Sequence, residues 1–203
     1  VKPNPYILTL KGNHFDFLNM QNNTFDPEEI GHALSMVCRF GGQCRHFYSV
    51  AQHSVIVSRL AGNGFRMAGL LHDAMEAYLG DITTPLKQLL PEYQDITKRA
   101  EDWLVKTTGY DIHAPEVKYA DLQALGMEKR DLMSHDYQDW PWLDGISIPS
   151  DIIIPIPPKE AFELFMETYE LYKRNEAFTD GQYERATIRD CAYLRTQDGG
   201  DWW

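Results

Sequence analysis

The chain has 203 residues, a net charge of −11, 43% hydrophobic residues and 24% charged residues. That length and composition suit one folded domain with a sizeable core. The acidic balance argues against a protein that coats nucleic acid or sits on a membrane surface through basic charge. Three cysteines, Cys38, Cys44 and Cys191, with no CxxC pair, exclude a small disulfide framework. No run of 18 apolar residues marks a membrane span. The opening VKPNPYILTLKGNHFDF lacks the apolar core and cleavage site of a signal peptide. These features predict a reduced, cytoplasmic compartment and no membrane partner.

The pattern reads as mostly helical, without repeats or low-complexity blocks. Residues 6–10, YILTL, predict a short strand. Asp26-Pro27-Glu28-Glu29 predicts a helix start: a cap, a proline at the first helical position and acids in the first turn. Ile30, Ala33, Leu34 and Val37 follow at helical spacing, up to a break at Gly41-Gly42. Ser49 caps a second helix, with Val50, His53, Val57 and Leu60 on one stripe and Gly62 and Gly64 beyond its end. A third covers 65–79, with Ala68, Leu71, Met75 and Leu79 inward; Gly80 stops it and Pro85 forbids continuation. A fourth covers 92–107, with Ile96, Ala100, Trp103 and Leu104 on one face. A fifth covers 115–133, with Val117, Ala120, Ala124, Leu125 and Leu132. Five prolines make 134–158 an irregular excursion with an extended piece at Ile152–Ile154. A last helix covers 159–174, with Phe162, Phe165, Tyr169 and Tyr172. The domain is expected over 1–175, with a polar tail over 176–203.

The chemistry concentrates at His72-Asp73, inside GLLHDAMEAYLGDITTPLK. The dipeptide alone is weak: with 7 His and 17 Asp, about 0.6 such pairs arise by chance. His135-Asp136 is a second one, in a polar stretch that reads as surface. Leu70 and Leu71 instead place the first pair near the core, where an imidazole and a carboxylate are costly unless paired or metal-bound. Glu76 follows at i+4 from His72, on the same face. No cation stands beside these three groups in the local sequence, so a divalent metal is one way to neutralise them. A satisfied core histidine with a capping or salt-bridged aspartate is the other. His53, on an apolar helical stripe, and Asp121, beside Ala120, add a second imidazole and a second carboxylate. Such a mixed nitrogen and oxygen set suits Mn, Co, Zn, Fe or Ni and leaves open positions for water and substrate.

The lone His53, the His72-Asp73 pair and the distant Asp121 resemble the ligand pattern of the HD-domain metal-dependent phosphohydrolases. The strings HALSMVCRFGGQCRHFYSVAQHSVIVS and HDAMEAYLGDITTPLK are similar to the YfbR-like 5′-deoxynucleotidase branch, including the DatZ-type dATP triphosphohydrolases. The likeness runs over about 25–133. It implies an all-α HD-domain bundle. It implies that His53, His72, Asp73 and Asp121 bind a divalent metal ion (Mn, Co, Zn, Fe, Ni or Mg) and that Glu76 is the acid/base carboxylate. Arg39 matches the phosphate-holding arginine. Phe40 stands where an aromatic residue, often Trp, packs on the sugar. Asp81 matches the carboxylate near the deoxyribose 3′-hydroxyl. Lys87 matches a lysine near the phosphate, with Thr84 supporting it, and Arg45 and His46 are placed near the mouth of the site.

The implied activity is hydrolysis of a deoxynucleotide 5′-phosphate ester. A monophosphate gives deoxynucleoside plus phosphate; a triphosphate gives deoxynucleoside plus triphosphate. Two other readings stand beside it: an HD module that binds or senses nucleotide with little catalysis, and a plain helical interaction protein. The likeness also implies a homo-oligomer, and the aromatic residues of the 159–174 helix offer a candidate face for a partner.

Overall fold

The computed structural model describes residues 5–135, 138–175 and 194–195. The chain opens with a hairpin, β1 (Tyr6–Leu8) paired antiparallel with β2 (His14–Asp16). The helices follow: α1 (Pro27–Met36), α2 (Val50–Leu60), α3 (Arg66–Leu71), α4 (Glu76–Leu79), α5 (Thr84–Lys87), α6 (Pro91–Thr108) and α7 (Pro115–Leu132). A mostly irregular stretch then leads to β3 (Ile152–Ile153) and to α8 (Pro158–Asn175), and β4 (Leu194–Arg195) pairs with β3. The architecture is mostly helical, with two short antiparallel ribbons in addition. Among the described residues no helix is long and apolar enough to cross a membrane.

The central helix is α2. Residues Val50 to Ser58 are all buried, so α2 is covered on every side rather than along one stripe. Its neighbours are α1, α3, α7 and α8. Polar side chains inside such a helix need partners. The Gln52 amide supplies a clear case: its Nε2 donates to Ile154 O at 2.8 Å and its Oε1 accepts from Ile156 N at 3.1 Å. One buried side chain thereby fastens the end of the proline-rich excursion to the centre. On one side of α2 the core is built by Ile30, Leu34, Leu70, Leu71, Leu104 and Phe165. On the other it is built by Tyr48, Val57, Val117, Ala124 and Met127.

The predicted helix starts hold. The Asp26 carboxylate accepts from Glu28 N and Glu29 N at 3.0 and 3.2 Å, and Ser49 Oγ accepts from Gln52 N at 3.2 Å. The end of α1 differs from the reading. It stops at Met36, because Val37 and Cys38 turn extended and Cys38 bridges to Ser49. The Gly41-Gly42 pair lies later, in the turn Arg39–Gly42. The strand over 6–10 is shorter than expected, since Thr9 N already bonds Asn13 O across the hairpin turn. Glu29 is buried and accepts from Thr9 Oγ1 at 2.7 Å and Lys11 N at 2.9 Å, which ties the hairpin to α1.

The helix expected over 65–79 is interrupted. α3 ends at Leu71, residues 72–75 form turns and α4 begins at Glu76. Bonds of the i→i+3 kind replace the α ladder: Ala74 N to Leu71 O at 2.9 Å and Glu76 N to Asp73 O at 2.9 Å. At the break His72 Nδ1 donates to Gly69 O at 2.7 Å, the carbonyl that Asp73 N–H would reach in a regular helix. Gly80 then closes α4 at φ +80°.

Most of the aromatic face of α8 is used within the chain: Phe165, Tyr169 and Tyr172 are buried in its core, and Phe162 is half-buried. The tail expected over 176–203 lies outside the described residues except for β4. His135 is exposed, in line with a surface reading, while Asp136 lies outside the described residues.

The α1–α8 crossing is close enough to test. A Cβ added at Gly31 would sit 2.6 Å from Phe165 Cδ1 and 3.4 Å from Met166 Sδ. Overpacking of this kind costs about 1–3 kcal/mol, against a helix-propensity gain of at most about 1 kcal/mol for Gly→Ala. Gly31→Ala is therefore expected to lower the urea midpoint. A midpoint unchanged or raised would show that the crossing relaxes freely.

Candidate metal centre

Four side chains from three regions meet beside α2. His53 comes from the buried core of α2, His72 and Asp73 from the interrupted turn after α3, and Asp121 from the second turn of α7. His53 Nε2 lies 3.2 Å from His72 Nε2, 3.5 Å from Asp73 Oδ2 and 3.5 Å from Asp121 Oδ1. His72 Nε2 lies 3.2 Å from Asp73 Oδ2 and 4.0 Å from Asp121 Oδ1. His53, His72 and Asp73 are tight enough to form a ligand cluster on their own, all donor atoms lying within 4.8 Å of one another. Asp121 stands at its edge, its other oxygen held by Lys118 Nζ at 3.0 Å.

The donor chemistry suits a cation. His72 Nδ1 faces a main-chain carbonyl and His53 Nδ1 faces the Glu128 carboxylate at 2.6 Å. Both partners are acceptors, so both Nδ1 atoms carry hydrogen. In neutral imidazoles the two Nε2 atoms then face one another with lone pairs only. At 3.2 Å that contact is unfavourable unless a proton or a metal ion lies between or beside them. Ligands at about 2.1 Å from one ion, at right angles, are separated by about 3.0 Å, close to the observed spacing. The residues present therefore fit a divalent ion.

Without an ion, a proton on His53 fills the same place. Burial and Arg39 oppose a charge on His53, yet Glu128 and Asp121 prevail and push its pKa up to about 9. Against the cost of burial, His72, His53 and Arg39 hold the Asp73 carboxyl below the ordinary carboxylate range. Asp121 is held well below it by His53, His72 and Lys118, again against burial. Glu76 moves the other way: burial, Asp73 and Asp81 raise its pKa to about 8, with Lys87 and Arg39 pulling down.

The expectation of an uncompensated polar cluster is corrected by the fold. Two distant cations enter it. Arg39, itself buried, donates Nη1 to Asp73 Oδ2 at 3.3 Å and Nη2 to Glu128 Oε2 at 3.2 Å. Lys87, carried by α5, donates to Glu76 Oε1 at 3.0 Å. Glu76 Oε2 and Arg39 Nε are buried without a hydrogen-bond partner. Phe40 is in the left-handed region at φ 56°, a costly conformation for a non-glycine residue. Its ring lies 5.3 Å from the Arg39 guanidinium, so both groups form one platform. Asp81 is half-buried and close enough to act electrostatically on Arg39 and Glu76.

Thr84 is exposed at the start of α5, the helix that carries Lys87, and His46 is exposed, so neither is buried against the cluster. Arg45 is turned to α7, where Nη2 donates to Asp131 O at 2.7 Å, and it lines a separate cavity of about 450 Å³ with Lys129, Arg130 and His135. The reason is local: Arg45 N is bonded to Leu132 O at 3.0 Å, which carries the segment after the Arg39 turn away from His72. One buried residue was not anticipated: Glu128, bonded to both His53 and Arg39. The signal was available, since Glu128 lies seven residues after Asp121 and so returns to the same face of α7.

No family model matches the chain. Over 166 residues it is 39% identical to the uncharacterized protein YfdR of Escherichia coli, an alignment covering 81% of this chain and 93% of that protein. It is 40% identical to the uncharacterized protein RCAP_rcc00048 of Rhodobacter capsulatus, over 38% of this chain and 44% of that one. The 39% identity over most of both chains shows that this mostly helical chain belongs to the family of the Escherichia coli protein YfdR.

Proposed function

We propose that this protein is an HD-type, metal-dependent phosphohydrolase that cleaves the 5′-phosphate ester of a deoxynucleotide. The observation that carries the reading is the convergence of His53, His72, Asp73 and Asp121, with the Glu76 carboxyl buried close by. A divalent ion held by those four residues would lower the pKa of a coordinated water from 15.7 towards about 7 and polarise a phosphoryl oxygen.

The remaining work falls to the chain. Glu76, as its carboxylate and with one oxygen unused, takes the proton of the attacking water, and its raised pKa makes that carboxylate the stronger base. Lys87 shares its ammonium between Glu76 and an incoming phosphate. Arg39, aimed by Asp73 and Glu128, presents its unused N–H groups to charge growing on the phosphoryl oxygens, a preorganised electrostatic effect. The Phe40 ring beside it offers an apolar wall to the sugar, and Asp81 offers an acceptor to a sugar hydroxyl.

The test is a nucleotide screen. Purified protein is incubated with dAMP, dATP, AMP and ATP in Mn²⁺ or Co²⁺, and released phosphate, pyrophosphate and triphosphate are separated. Release of phosphate from dAMP, or of triphosphate from dATP, is expected, lost with chelator. Binding of nucleotide without release under any divalent ion would overturn the hydrolase and favour a sensing module.

A further inference from the structure

Glu128 has no exposed surface, and both its oxygens are engaged away from the four candidate ligands' shared centre. Oε1 accepts from His53 Nδ1 at 2.6 Å and Oε2 accepts from Arg39 Nη2 at 3.2 Å. Arg39 Nη1 reaches Asp73 Oδ2 at 3.3 Å, and that oxygen lies 3.5 Å from His53 Nε2. Four side chains from the Arg39 turn, α2, the 72–75 turn and α7 thus close a ring. Glu128 and His53 are its two members without exposed surface.

We propose that Glu128 is a positioning residue: it holds His53 in the Nδ1–H form with Nε2 free for the ion, and it binds one end of the Arg39 guanidinium so that Asp73 Oδ2 meets only the other. The inference rests on the metal-centre reading and deepens it. A carboxylate behind a ligating imidazole fixes its orientation and makes it a better donor, and loss of such a partner typically costs 10–100-fold in metal affinity. A second effect comes from Arg39. With Glu128 in place, two carboxylates share the buried guanidinium. With Glu128 neutralised, Asp73 is its remaining hydrogen-bonded carboxylate, and Arg39 competes with the ion for Oδ2. The two histidines differ in this respect. His72 is oriented by the main-chain carbonyl of Gly69, which no side-chain substitution removes, so His72 is an internal control.

The experiment compares wild type, Glu128→Gln and Glu128→Asp in two measurements. Mn²⁺ affinity is read by titration, alongside the urea transition of the metal-free protein. The hydrogen-bonded ring protons of His53 and His72 are read by NMR of imidazole-labelled protein. Wild type is expected to show a strongly deshielded His53 Nδ1 proton. In Glu128→Gln that signal is expected to shift or vanish while the His72 signal stays, and Mn²⁺ Kd is expected to weaken roughly 10–100-fold with a cooperative transition retained. Glu128→Asp keeps the charge one methylene back and is expected to fall between; it decides the matter if Glu128→Gln does not fold. Folded Glu128→Gln that binds Mn²⁺ within about twofold of wild type, or a wild type without the deshielded His53 proton, would overturn the inference. A wild type that binds no divalent ion overturns the metal-centre reading instead.

Discussion

Glu76→Gln is expected to slow phosphate-ester hydrolysis by roughly 10²–10⁴, the range associated with a positioned general acid or base, while the divalent ion stays bound. Glutamine keeps the size of the side chain and an acceptor for Lys87, so the loss is confined to proton transfer. The same substitution carries a pH signature in the metal-free protein. The folded pKa of Glu76 is raised by burial and by Asp73 and Asp81 from an ordinary 4.5 to about 8. The folded state therefore holds the Glu76 proton more tightly than the unfolded state does. Stability from this group is fully present below about 4.5 and is lost as pH rises through about 8. Glu76→Gln removes that dependence. Its stability relative to wild type is expected to rise between pH 5 and pH 9, by an amount on the order of a few kcal/mol at most. Thermal unfolding of both proteins across that range checks the sign. A difference that stays flat, or narrows with pH, would place Glu76 in a solvated environment and remove the reason for giving it the proton.

His72→Ala is expected to abolish both hydrolysis and metal-dependent stabilisation. In wild type, an ion at about 100 times its Kd adds about 2.7 kcal/mol to folding stability, seen as a higher Tm on adding Mn²⁺. His72→Ala deletes a nitrogen donor that lies 3.2 Å from both His53 Nε2 and Asp73 Oδ2, and the Tm rise is expected to disappear at the same concentration. His72 is partly exposed and its Nδ1 bonds only a main-chain carbonyl on its own turn, so metal-free His72→Ala is expected to fold. A metal-induced Tm rise that survives in His72→Ala would show that the ion binds elsewhere.

Much of this arrangement is legible in the residues, and the exceptions have physical causes. Asp26 and Ser49 announce α1 and α2 because a side-chain cap is a local interaction. His53 is conspicuous as an imidazole on an apolar stripe, and the structure places it at the buried centre of α2. The break at residues 72–75 is hidden, because the apolar spacing of Leu71, Met75 and Leu79 survives a switch to i→i+3 bonding. It is visible only through the His72–Gly69 bond. Arg39 and Lys87 reach the cluster from 34 and 11 residues away along the chain, so no local pattern announces them as its counter-charges. Glu128 sits in the run EKRD, which reads as a solvated helix end. Its buried carboxylate is partnered by Arg39 and His53, both distant along the chain. The segment near Arg45 shows the opposite error: a cation close in sequence to Arg39 is carried to α7 by a single main-chain bond to Leu132.

The most direct measurement is anomalous X-ray scattering from crystals grown with Mn²⁺. The account predicts one strong peak per chain, within coordination distance of His53 Nε2, His72 Nε2 and carboxylate oxygens of Asp73 and Asp121. Saturating Mn²⁺ with no peak there, or with a peak that touches only one of these residues, would contradict it.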